Sequence, residues 1–145
     1  MTAFEVRSEM RKAYWIRREI KARVRRMGEL RSMAEKITPT FSPTPGGGGD
    51  GSRVEHYAVL IVEMQQDVEE RTAELVKVEK SIQEWVELVD DPRARALLID
   101  YHLNGLNAEE VGAVNGYERR QVFRILSEAY EEIAEKLNRS LNVIV

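Results

Sequence analysis

The sequence predicts an all-α protein in which a long antiparallel, coiled-coil-like helical hairpin precedes a three-helix helix-turn-helix module. Three observations predict it. Apolar residues recur at alternating three- and four-residue steps along two long segments. A Pro/Gly-rich interruption separates those segments. Beyond them, residues 92–145 fall into three helical patterns broken by Asn-Gly pairs.

The hairpin occupies residues 1–91. Its first helix carries a loose stripe of Ala13, Ile16, Ile20, Val24, Met27, Leu30, Ala34 and Ile37. Residues 38–52 contain three prolines and five glycines, which no helix or central strand holds, so this stretch is a loop. Its Gly46–Gly51 run is not a phosphate-binding loop, because neither Lys-Ser nor Lys-Thr follows and no strand precedes it. The second helix has the tighter pattern: Val54, Tyr57, Ile61, Met64, Val68, Arg71, Leu75, Val78, Ile82, Trp85 and Val89. Ten of those eleven positions are apolar and Arg71 is the exception. Each helix spans about 50–55 Å, and matched lengths joined by a loop suggest antiparallel pairing. Tyr14, Trp15, Tyr57 and Trp85 are expected to pack in this hairpin.

Charge is unevenly distributed. The net charge is −3, yet residues 1–38 hold eleven basic and five acidic side chains, while residues 39–91 hold four and twelve. Arg11, Arg18 and Arg25 recur every seven residues in the first helix, and Glu63, Glu70 and Glu84 share that phase in the second. Opposite charges at heptad spacing favour a helix pair over an external polyanion as the partner of the basic stretch.

Composition excludes several classes. With no cysteine there is no disulfide framework, iron–sulfur cluster or thiolate zinc site. His56 and His102 form no metal motif, and His102 is expected at a helix end. No apolar run approaches the roughly 18 residues of a membrane span, and Met1–Arg26 is too basic for a secretory signal. The carboxylates lie on solvated helix flanks, and no Walker, dinucleotide or nucleophile-elbow sequence is present. The expectation is a cytoplasmic protein that is not an enzyme and has no cofactor, metal or membrane partner.

The C-terminal module begins at Asp90-Asp91-Pro92, acidic caps followed by proline at a first helical position. Its first helix is expected over Pro92–Leu103, with Ala94, Leu97, Leu98 and Tyr101 inward and Asn104-Gly105 as the stop. Asn107 and Glu110 form a capping-box pair opening a short helix that Asn115-Gly116 ends. Glu118 begins the third, with an inward stripe of Val122, Ile125, Leu126, Ala129, Ile133 and Leu137. Its first two turns carry Arg119, Arg120, Gln121, Phe123 and Arg124, the candidate DNA-binding residues. Arginine reads guanine bidentately and glutamine reads adenine, and the first turns of a recognition helix make such contacts. On this pattern Arg120, Gln121 and Arg124 read bases and Arg119 holds phosphate. The apolar end, Leu141-Asn-Val-Ile-Val, is expected to pack on the protein or a second subunit.

The stretch Gly105-Leu-Asn-Ala-Glu-Glu-Val-Gly-Ala-Val-Asn-Gly-Tyr-Glu-Arg-Arg-Gln-Val-Phe-Arg-Ile resembles region four of bacterial sigma factors, which reads the −35 promoter element. In layout the whole chain is similar to small phage-encoded regulators of the RinA/ArpU late-gene class, although only about forty residues carry motif-level similarity. Phe123, Asn115 and His102 depart from the pattern, which more usually has polar, apolar and tyrosine residues there. Nothing like sigma region two is present. The resemblance implies a phage or prophage transcriptional regulator in the bacterial cytoplasm, bound to double-stranded DNA, with Arg119, Arg120, Phe123 and Arg124 at the contact positions. It leaves open a homodimer and a contact with host RNA polymerase through the hairpin. Two alternatives stand beside it: a packaging protein like a terminase small subunit, and a polymerase-docking module that does not bind DNA.

Overall fold

The computed structural model describes residues 1–37 and 48–144, with side chains described for 1–37 and 52–141. Among these residues the structure is all-α: two long helices, α1 (Ala3–Ile37) and α2 (Gly48–Val86), followed by α3 (Pro92–Leu98), a π-helical turn (Ile99–Leu103), α4 (Ala108–Asn115) and α5 (Arg119–Ile144). Residues 38–47 of the expected loop lie outside the described residues. Helix α2 begins four residues before the expected loop end, at Gly48.

Two compact units divide the chain: residues 16–74 form one, and residues 1–15 with 75–145 form the other. This differs from the expected division at Asp91–Pro92. The acidic-cap and proline signal does mark a helix start, since the Asp91 side chain accepts from the Arg93 N–H at 2.9 Å. It does not mark the edge of a core. The reason is that the roots of both long helices bring apolar faces to the module.

In the unit of residues 16–74, α1 and α2 run antiparallel. Arg23 meets Asp67 at 3.3 Å and Glu19 meets Arg71 at 2.6 Å, so a step forward along α1 is matched by a step back along α2. The α2 seam lies as expected, with Tyr57, Ile61, Met64, Val68 and Arg71 half-buried. On α1 the stripe is corrected at one place. Val24 is exposed and Arg23 takes the seam position, which keeps the three-four step through Ile20, Arg23, Met27 and Leu30. Its apolar stem lies along the seam while the guanidinium reaches Glu19 and Asp67. These cross-helix pairs do not use the heptad-spaced Arg11, Arg25, Glu63 or Glu84.

In the other unit, Val6, Met10 and Ala13 from α1 and Ile82 and Val86 from α2 join one buried cluster with α3, α4 and α5. On α5 the inward stripe runs as expected through Val122, Leu126, Ala129 and Ile133, with Ile125 and Leu137 half-buried at its margins. Tyr130 and Ala134 widen it. Trp85 packs against the cluster, but Trp15 is 61% exposed, against the expectation for this aromatic. Tyr14 meets Trp15 edge-on and receives the Arg11 guanidinium over its ring at 4.6 Å.

Candidate nucleic-acid interface

The module that carries the candidate residues is shaped by its turns. The helix expected over Pro92–Leu103 is α-helical only to Leu98, and then widens so that the Asn104 N–H donates to the Ile99 carbonyl at 2.9 Å. The wider turn passes the inward position from Tyr101 to His102. Tyr101 is therefore half-buried, its hydroxyl accepting from Arg11, while His102, in the last helical turn as expected, is only 2% exposed. His102 Nε2 lies 2.7 Å from the Tyr130 hydroxyl, so this buried polar pair joins the turn to α5. Burial pushes the Tyr130 phenol well above its usual range.

Asp100, in the same turn, accepts from the side-chain amides of Asn104 and Asn115, each at 2.9 Å. Asn115 also donates to the Val111 carbonyl, so this one side chain fastens the end of α4 to the turn before it. Helix α4 opens with the expected capping box: the Asn107 side chain accepts from the Glu110 N–H at 2.8 Å, and Glu110 accepts from the Asn107 N–H at 3.1 Å. It closes at Gly116, whose φ of 78° is the left-handed conformation that favours glycine. The Tyr117 N–H donates back to the Gly112 carbonyl at 2.8 Å, folding the turn onto α4.

Helix α5 starts immediately after that turn and packs against both α3 and α4. An α-helix turns roughly 100° per residue, so Val122, Leu126, Ala129 and Ile133 define one side and Arg120 and Arg124 fall on the opposite one. Both arginines are exposed, and neither makes an ion pair among the described residues. The other three candidates are placed differently. The Gln121 side chain is exposed, but its Oε1 accepts from the Glu118 N–H at 3.0 Å, completing the helix start as a glutamine at the third position does. Phe123 is half-buried against the core cluster. Arg119 is exposed, with its guanidinium 5.5 Å from the centre of the Phe123 ring.

The structure thus separates five candidates into two outward arginines, a capping glutamine and an Arg–Phe pair on the flank. The capping role has a sequence signal, Glu118 and Gln121 at capping-box spacing. The Arg119–Phe123 pair has one too, at i, i+4. A further cation stands beside the turn and escaped the sequence reading: Arg93 interacts with Asp91 and with Tyr117, both of which raise its proton affinity. Past the second turn of α5 the outward side changes sign, with Ser127 followed by Glu128 and Glu131, all exposed.

Leu141 is 62% exposed, and the side chains of the remaining apolar end lie outside the described residues. Among the described residues, no three His, Cys, Asp or Glu side chains come together to hold a metal ion, and no helix is long and apolar enough to cross a membrane. No protein-family model, curated protein or solved structure matches this chain.

Proposed function

We propose that this protein is a sequence-specific DNA-binding transcriptional regulator, with α5 entering the major groove of double-stranded DNA. The observation that carries the reading is the pair Arg120 and Arg124, exposed on the outward side of a helix whose other side is buried against α3 and α4. A rigidly held helix presenting guanidinium groups in its first turns is what base contact in a major groove requires. The resemblance of the surrounding residues to sigma region four, and of the layout to phage late-gene regulators, supports the same reading. On this reading the protein works in a bacterial host cell, and host polymerase and a second copy of the chain are its candidate further partners.

The test is binding of duplex DNA to the full chain followed against salt. Affinity falls as salt rises, because each neutralised phosphate releases counterions. The double variant Arg120→Ala/Arg124→Ala loses at least tenfold in specific affinity, since a bidentate arginine–guanine pair is worth about 1–3 kcal/mol. Unchanged specific affinity in that variant sinks the reading. Mass in solution separates the regulator, a monomer or dimer, from a packaging ring of many subunits.

A further inference from the structure

We infer that α5 reads two guanines separated by one base pair, one through Arg120 and one through Arg124, and that Gln121 and Arg119 make no base contact. This rests on the duplex-DNA reading above and adds which bases are read and at what spacing.

Position on the helix selects the readers. Arg120 and Arg124 are roughly 40° apart around the axis, centred on the exposed side. Gln121 stands roughly 100° from Arg120, and its side-chain oxygen already accepts from the Glu118 N–H at 3.0 Å. Using that amide to read adenine would uncap the helix start that aims both arginines. Arg119 lies on the other flank, its guanidinium 5.5 Å from the Phe123 ring centre, on a side chain that is itself packed on the core. That places its charge at the rim of the groove, where phosphates are.

Spacing sets the target. Four residues of α-helix rise about 6 Å, and successive bases on one strand are about 3.4 Å apart. Arginines one helical turn apart therefore match bases two steps apart. The guanidinium fork pairs with O6 and N7 of guanine, which no other base presents together as acceptors in the major groove. The chain also fixes where contact ends. Glu128 and Glu131 follow on the same outward side, exposed, and carboxylates facing phosphates or acceptor-rich base edges are repelled. Each copy of α5 thus reads on the order of three base pairs.

The experiment is selection of the full-length chain against a random duplex library, repeated with Arg120→Gln, Arg124→Gln and Gln121→Ala, each checked by far-UV circular dichroism for retained helix. The wild-type chain is expected to recover two guanines one base pair apart. Each Arg→Gln variant is expected to lose one guanine, with adenine gaining at that position, and to bind the wild-type site about tenfold or more weakly. Gln121→Ala is expected to recover the wild-type motif; for this variant the motif is the readout, because the cap also affects affinity. The inference is overturned if the arginine variants recover the wild-type motif, if the guanines stand at another spacing, or if Gln121→Ala changes a base preference. In those cases DNA binding persists, and the regulator reading survives unless Arg120→Ala/Arg124→Ala also leaves specific affinity unchanged. Absence of duplex binding by the wild-type chain overturns both.

Discussion

Gly112, within α4, and Gly116, the cap that follows it, stand about one turn apart and constrain the chain for different reasons. At Gly116 the constraint is conformational, a φ of 78°, and Asn-Gly after a short helical pattern announces it in the sequence. At Gly112 it is spatial: a Cβ there would lie 2.4 Å from the Tyr117 carbonyl oxygen. No sequence pattern reports that approach, because it exists only once the turn folds back. Gly112→Ala is expected to destabilise the protein by about 1–3 kcal/mol, as overpacking does, and, under the proposed function, to weaken DNA binding by displacing the start of α5. Gly28, in the interior of α1, gives the opposite sign. A Cβ there meets nothing within 4 Å, so Gly28→Ala is expected to stabilise by about 0.5–1 kcal/mol. Urea unfolding of the two variants beside the parent checks both. The buried His102–Tyr130 pair adds an alkaline dependence. The phenol is raised in the fold, so its contribution is intact below the ordinary tyrosine value of 10.0 and is lost as pH rises above it. Tyr130→Phe is expected to remove that alkaline loss and to cost about 1–3 kcal/mol at neutral pH; an unaltered alkaline limb in its pH–stability curve would contradict the assignment.

At the scale of the element, the hairpin holds its register through a polar layer inside an apolar seam. The sequence marks Arg71 as the one charged seam position on α2, but leaves its partner open because both flanks of α1 offer carboxylates. Glu19 is that partner, shared with Arg23, and Arg23 itself reaches Asp67. The choice was illegible because Val24 fits the apolar count as well as Arg23 fits the heptad step. Only the pairing across the helices decides between them. The Glu19 carboxyl is held below the usual range, first by the hydrogen bond from Arg71 and then by that from Arg23. A lowered acid stabilises the fold above its ordinary pKa and ceases to do so as pH falls through the folded value. Glu19→Gln is therefore expected to lower the melting temperature near neutral pH, with the difference from the parent closing in acid. Because the pair is partly exposed, the difference also shrinks with added salt. A difference that stays constant from neutral pH into acid would rule out the ion pair as its source.

For the whole molecule, periodicity told which face of each helix is buried but not what covers it. The all-α class, the long pair and the three shorter helices follow from spacing and caps, whereas the boundary read at Asp91–Pro92 ignored how the cluster is assembled. Of its seventeen buried residues among those described, six (Val6, Met10, Ala13, Ile82, Val86 and Val89) come from before that boundary. Burying a Val, Ile or Met side chain contributes about 1.5–3 kcal/mol, against a net stability of about 5–15 kcal/mol for a typical domain. Losing five such side chains and an alanine therefore exceeds what residues 92–145 can spare. The helix-turn-helix is rooted in both long helices, and its outward arginines are held in place only when residues 1–15 and 75–91 complete the core. A fragment of residues 92–145 is accordingly expected to show weak, non-cooperative unfolding in urea, while the full chain unfolds cooperatively. Under the proposed function, its duplex binding is expected to fall even though all five candidate residues are present. Cooperative unfolding of the fragment, with the affinity and motif of the full chain, would show instead that the three short helices stand alone.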